Sequence, residues 1–108
     1  MENENVVAEI SVVPLGTGAP GVSEFVAACV EVLGKRKKIH YMLTPMGTIL
    51  EGPLDEILSA TKEMHQVPFG KGALRVVTTL KIDDRRDKVL SMEGKLTSVR
   101  KRMPSVKT

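Results

Sequence analysis

The sequence of 108 residues predicts one α+β domain, spanning residues 1–108, built on a four-stranded antiparallel sheet with helices on one face. Three observations predict it. Runs rich in Val and Ile that end at Gly or Pro are typical of strands. Apolar residues spaced i, i+3, i+4 and i+7 between those runs indicate amphipathic helices. A Pro and a Gly between two short β-prone runs indicate a hairpin.

The first half of the chain gives a strand, a helix and a hairpin. The first strand covers residues 6–15 (VVAEISVVPL) and ends at a glycine-rich loop. The helix after it is predicted from one apolar stripe, formed by Val22, Phe25, Val26, Cys29, Val30 and Leu33. Lys35–Lys38 suit its C-terminal end, where cations meet the negative end of the helix dipole. Two short strands, 39–44 and 48–51, then flank Pro45-Met46-Gly47.

The second half gives a helix, a strand and a last helix. The helix begins after Gly52-Pro53, and Pro68 is expected to kink or end it. Residues 74–83 (LRVVTTLKID) are the clearest strand. Ser91 is the predicted N-cap of the last helix, which ends at Pro104. The ordered core is expected to cover about residues 6–103, since chain ends fray.

The element order β-α-β-β-α-β, followed by a C-terminal helix, is the ferredoxin-like pattern. Its helices leave one sheet face open. Alternation assigns to that face Val7, Glu9, Ser11 and Val13 of the first strand, and Arg75, Val77, Thr79 and Lys81 of the last. This mixture is less polar than a fully solvated face. We therefore expect homodimers, or homotetramers, that pack through the open sheet face.

Composition and charge exclude several classes of function. Aromatic residues make up 3% and Trp is absent, which disfavours nucleic-acid binding by base stacking. A single Cys excludes a disulfide framework and a multi-Cys metal site. The net charge of +3 resolves into two basic segments, Lys35–Lys38 and 100–108, on a body with 8 basic and 13 acidic residues. With no apolar run near 18 residues and no signal pattern, we expect a cytoplasmic protein without a membrane partner.

Two motifs resemble a dinucleotide-binding loop and a metal site, but their surroundings in the sequence favour structural explanations. Gly16–Gly21 reads G-x-G-x-x-G between a strand and a helix, but a dinucleotide-binding unit needs a parallel strand next, where this chain has a hairpin. A glycine-rich turn is favoured; Gly16, Gly18 and Gly21 then offer at most an anion site of backbone N–H groups. In Asp83–Asp87 the arginines interleave with the acids, which favours a salt-bridged loop over a metal site. No spacing indicates a catalytic residue, a metal or a cofactor, so we expect no enzyme.

Hydroxyl groups gather around the hairpin and the two strands predicted to be central. Thr44 and Thr48 flank the turn, Glu51 follows, and the central strands add Ser11 and Thr79. Short hydroxyls with a carboxylate suit a small polar ligand that carries donor groups. The preference of threonine for strands explains the same pattern without a ligand.

Three segments together resemble the thiamine-binding protein family: EISVVPLGTG at 9–18, LTPMGTILEG at 43–52 and GALRVVTTLKIDDRRDK at 72–88. The family consists of small proteins, long described only as conserved, related to binders of thiamine and its hydroxymethylpyrimidine fragment. The resemblance covers roughly residues 6–103 and implies a ferredoxin-like fold. It also implies dimers or tetramers formed through the sheets, with a ligand groove near the subunit interface.

The resemblance makes thiamine or hydroxymethylpyrimidine the expected ligand of a non-enzymatic binding protein. An aminopyrimidine joined to a cationic thiazolium suits hydroxyl and carboxylate partners. The candidate contacts are Ser11, Thr44, Thr48, Glu51 and Thr79, with Met46 against the ring and Glu9 and Asp83 as alternative carboxylates. Two other interpretations stay open: a regulatory or structural oligomer that binds another metabolite or an anion, and an RNA-binding module that uses the basic segments.

Overall fold

The computed structural model describes residues 5–18 and 22–108, which form four strands and three helices. In chain order these are β1 (Asn5–Leu15), α1 (Ser23–Gly34), β2 (His40–Thr44), β3 (Gly47–Pro53), α2 (Leu54–Gly70), β4 (Arg75–Asp83) and α3 (Met92–Arg102). The strands lie in the order β2-β3-β1-β4, and each neighbouring pair is antiparallel. The first strand is central as predicted, but the prediction that the last strand is also central is wrong, because β3 takes that place and β4 is an edge. The predicted ferredoxin-like α+β fold with a C-terminal helix is confirmed.

The hydrophobic core lies between one face of the sheet and the helices α1 and α2. Its buried members are Val6, Ala8, Ile10, Cys29, Val32, Leu33, Ile39, Leu50, Ile57, Ala60 and Met64. The even-numbered residues of β1 supply the centre of this core. The odd-numbered residues therefore point to the other face, where Glu9 pairs with Lys81 and Ser11 pairs with Thr79. The predicted division of β1 and β4 into two faces is confirmed.

Pro68 does not end α2, which continues to Gly70 with the proline buried inside it. Of the two predicted outcomes, an end of the helix at Pro68 is wrong, and a kink stays a prediction. A proline cannot donate to the carbonyl four residues earlier, which here belongs to Met64. The Cys29 thiol of α1 donates to that carbonyl oxygen instead, at 3.4 Å. Burial raises the pKa of the Cys29 thiol, so it keeps the proton it donates.

The helix α3 lies apart from the main core. Ser91 is its N-cap as predicted, since its side chain accepts a hydrogen bond from the Gly94 amide at 2.9 Å. Within Met92–Arg102 no residue is buried, and Val99 stays half exposed. The preceding Leu90 is buried, which anchors the start of the helix. In the part of the chain that the structure describes, no helix is long and apolar enough to cross a membrane.

Candidate functional site

A pocket of about 530 Å³ lies on the face of the sheet opposite α1 and α2, with the first turns of α3 as one wall. We call it the α3 pocket; its lining residues are Val7, Ala8, Glu9, Met42, Ile49, Lys81, Ile82, Asp83, Met92, Lys95 and Leu96. The volume is within the range of small-molecule sites, about 300–1,000 Å³. Element order did not predict this wall, because it does not say on which face a C-terminal helix settles.

The floor of the α3 pocket follows from strand register. Met42 pairs with Ile49, Ile49 pairs with Glu9, and Glu9 pairs with Lys81. Directly paired residues of antiparallel strands point to the same face, so these four side chains form one row across the sheet. The next row contains Val7 and Asp83. The first row is thus apolar on β2 and β3 and charged on β1 and β4.

Two carboxylates of the α3 pocket each have a lysine partner. Glu9 Oε1 lies 3.8 Å from Lys81 Nζ, and Asp83 Oδ2 lies 2.5 Å from Lys95 Nζ. The second pair joins α3 to β4. All four side chains are partly or largely exposed, so each pair contributes little to stability, about 0–1 kcal/mol. The carboxylates can therefore change partners at low cost.

Glu51 is placed beside the α3 pocket, where it fixes the helix that forms the wall. Its Oε1 accepts a hydrogen bond from the Met92 amide at 3.0 Å, across 41 positions of sequence. A carboxylate at the first turn also meets the positive end of the helix dipole. The geometry gives Glu51 a positioning role; its predicted role as a direct ligand contact stays a prediction.

The other predicted contacts are not brought together. Thr44 Oγ1 donates to the Gly47 carbonyl at 2.7 Å and accepts from the Gly47 amide at 3.2 Å, so this hydroxyl closes the turn. Thr48 points to the helix side and is 5% exposed. Met46 is 87% exposed at the tip of the turn. Of the predicted residues, the α3 pocket includes only the alternative carboxylates, Glu9 and Asp83.

Ser11 and Thr79 form a pair on the open face, one row from Glu9 and Lys81, and do not line the α3 pocket. The pocket residues missed by sequence reasoning include Ile49, Met42, Met92, Lys95 and Leu96. Met42 could have been found from the hairpin, because a two-residue turn places it opposite Ile49. The three α3 residues carried no signal that placed them over the sheet.

The glycine-rich loop has the backbone of a tight turn. Gly16 and Gly18 have φ values of 71° and 81°, a region that favours glycine, and open space surrounds both. Gly21, the third member of the predicted anion site, lies outside the described residues. The anion site stays a prediction.

The loop after β4 is closed by its own ion pairs. Arg86 Nη2 lies 2.8 Å from Asp84 Oδ2, and Arg85 holds Asp87 in the same way. Hydrogen bonds from Arg86 lower the pKa of Asp84, and those from Arg85 lower the pKa of Asp87, so both stay ionised and paired. Residues 5–18 and 22–108 contain no group of three His, Cys, Asp or Glu that could hold a metal ion.

Comparison with known proteins identifies relatives along most of the chain. A family model described as thiamine-binding protein matches residues 8–100. The chain is 41% identical over 100 residues to the UPF0045 protein YqgV of Bacillus subtilis, covering 90% of this chain and 96% of that protein. It is 47% identical over 94 residues to the UPF0045 protein MJ1052 of Methanocaldococcus jannaschii, covering 87% and 91%.

Solved structures are also similar to this chain over most of its length. A crystal structure of the hypothetical protein MJ1052 superposes with a TM-score of 0.81 at 45% identity, covering 90% of this chain and 97% of that one. A proposed thiamine biosynthesis/salvage protein of Thermotoga maritima superposes with a TM-score of 0.72 at 26% identity, covering 89% and 99%.

Proposed function

Because the chain belongs to the thiamine-binding protein family, we propose that its α3 pocket binds thiamine or the hydroxymethylpyrimidine fragment, without catalysing a reaction. Family membership supports a small-molecule binding role in general. The observation that carries the finer proposal is one cavity with an apolar floor and two carboxylates at its side.

The α3 pocket suits a flat, amine-bearing ring. Val7 and Ile49 offer an apolar surface for one face of a pyrimidine. Met42 and Met92 supply thioether sulfur, whose contacts with aromatic rings contribute about 0.3–1.5 kcal/mol each. Because the chain has almost no aromatic residues, these methionines, and not aromatic side chains, would contact the ligand ring. An exocyclic amine donates hydrogen bonds, and carboxylate oxygens accept them.

Glu9 is the carboxylate best placed to receive that amine. It stands in the middle of the sheet, between Ile49 and Lys81, whereas Asp83 lies on the edge strand β4. The side chain of Lys81 is 79% exposed, so it can turn into water when a ligand takes its place beside Glu9. The exchanged ion pair is weak, so its loss costs the complex little.

Glu9→Gln should weaken thiamine binding by about tenfold to a hundredfold, because a hydrogen bond to a charged group contributes about 1.5–3 kcal/mol. Isothermal titration with thiamine, hydroxymethylpyrimidine and thiamine phosphate measures the effect. Glu24→Gln is the matched control, since Glu24 is an exposed carboxylate on α1. Absence of submillimolar binding of all three compounds to the unaltered protein would refute the proposal. Equal affinities of the two variants would exclude Glu9 as a contact.

We also propose that two copies associate through the open sheet face beside the α3 pocket. Val13 pairs with Val77 there, and both are exposed together with Leu15. Val77→Lys should lower the mass measured by light scattering, because it places charge in an apolar contact. Leu58→Lys changes an equally exposed leucine on the outer side of α2 and should leave the mass unchanged. A monomeric unaltered protein at 100 µM, about a hundredfold above a micromolar Kd, would exclude this association.

A further inference from the structure

The charged side chains that line the α3 pocket balance each other. Two are carboxylates, Glu9 and Asp83, and two are ammonium groups, Lys81 and Lys95. Each carboxylate is paired with one lysine, and all four side chains are in contact with water. A ligand that brings only an amine uses one carboxylate and leaves the lysine of that pair to water. A ligand that carries both an amine and an anion can bind both members of the pair.

The two lysines approach the α3 pocket from different elements. Lys81 stands on the edge strand β4, directly opposite Glu9 of β1. Asp83 is two residues further along the same face of β4, about 7 Å away at the usual rise of a strand. Lys95 reaches Asp83 from the wall formed by α3. One ammonium group therefore comes from the floor and one from the wall on the same side of the pocket, and an anion between them can contact both.

The lysines are better placed to hold an anion than the backbone at the start of α3. Glu51 accepts a hydrogen bond from the Met92 amide, and the Ser91 side chain accepts one from the Gly94 amide. These two N–H groups of the first turn are therefore already in use. Recognition of an anion in the α3 pocket then depends on side-chain charge, which substitution can remove without changing the backbone.

Both lysines can contact an anion at little cost. An ammonium group has three N–H donors, so Lys95 can keep its bond to Asp83 and donate a second one to the anion. The side chain of Lys81 is 79% exposed, and its pair with Glu9 is of the weak, solvated kind. When the ligand amine takes Glu9, Lys81 is released for the anion of the same ligand.

We propose that the α3 pocket prefers the phosphate ester of hydroxymethylpyrimidine to the free alcohol, with Glu9 on the ring amine and Lys81 and Lys95 on the phosphate. The amine and the hydroxymethyl group stand on neighbouring carbons of that ring. The ester thus presents a donor and an anion side by side, as the pocket presents Glu9 and Lys81, whose charged atoms are 3.8 Å apart. A phosphate ester has three acceptor oxygens, enough for both ammonium groups. The inference rests on the proposed function, because the ring has to bind in this pocket.

Isothermal titration with hydroxymethylpyrimidine and with its phosphate ester tests the preference, because the two compounds differ only in the phosphate. We expect the ester to bind about tenfold more tightly, since each of two partly exposed ammonium–phosphate pairs contributes a factor of a few. The preference should shrink as the salt concentration rises, because salt screens exposed charges. Equal affinities for the two compounds would overturn the inference and leave the proposed function intact. Absence of binding of both compounds would count against the proposed function as well.

Lys81→Gln and Lys95→Gln test whether these side chains carry the preference. Each should lower the ratio of the two affinities severalfold, and the double variant should bring the ratio to about one, because no ammonium group is left beside the phosphate. The ratio cancels any loss of ring binding that a displaced α3 would cause. Lys62→Gln is the matched control, since Lys62 is an exposed lysine on α2, and it should keep the full ratio. A ratio that survives in the double variant overturns the proposal.

Discussion

Replacing Ile57 with Ala should lower the free energy of unfolding by about 3–4 kcal/mol. Ile57 is 0% exposed and lies on the face of α2 that packs against the sheet. Removing its three outer carbons loses their transfer free energy and leaves a cavity that a close-packed core fills only in part. Urea denaturation measures the loss as a lower midpoint with an unchanged slope.

Leu58→Ala is the matched control for this change. Leu58 is the next residue of the same helix but is 47% exposed, and both replacements introduce Ala at adjacent positions. We expect a loss below about 1 kcal/mol, since little apolar area is returned to water. Similar losses at the two positions would mean that α2 does not bury the face described above.

Gly52→Ala should lower the free energy of unfolding by about 1–3 kcal/mol, the usual cost of overpacking. A Cβ at this position would lie 2.8 Å from the carbonyl oxygen of Lys38 and 3.5 Å from Cα of Ile39. The obstacle is backbone, so no side-chain rotation relieves it. The segment that enters β2 would have to move away from β3, although Ala itself suits a strand better than Gly.

Gly70→Ala provides the comparison for Gly52→Ala. Gly70 is the last residue of α2, and a Cβ there meets nothing within 4 Å. Alanine favours the helix, so stability should rise by up to about 1 kcal/mol. Thermal unfolding of both variants separates the two effects by sign. A stabilised Gly52→Ala variant would contradict the close approach of Lys38.

Residue types and their spacing predicted most of the fold. The two faces of β1 and β4 could be assigned because side chains alternate with period two. The even-numbered residues of β1 are all apolar, whereas the odd-numbered ones include Glu9 and Ser11, which identifies the buried face. The start of α3 was predicted from Ser91, whose capping bond is local. The family predicted from three segments is confirmed by the match to residues 8–100. These features depend on neighbours in sequence or on one repeating pattern.

The candidate site was harder to predict from the sequence, because it depends on contacts between residues that are far apart in the chain. The position of α3 rests on a hydrogen bond between Glu51 and Met92, which lie 41 positions apart in the sequence. Thr48 was proposed for its hydroxyl, but register in β3 turns it towards the helices. Thr44 was proposed on the same ground, and its hydroxyl is used by Gly47. Residue type alone does not show that a hydroxyl is turned towards the core or already hydrogen-bonded within a turn.

The contact between the Cys29 thiol and the Met64 carbonyl also constrains how this sequence can diverge. While position 68 is proline, the carbonyl needs a donor from α1, and a small side chain with S–H or O–H at position 29 supplies it. A relative with another residue at position 68 recovers its own amide donor, and position 29 is then free to become alanine or valine. Positions 29 and 68 should therefore covary among relatives, although they lie 39 positions apart in the sequence.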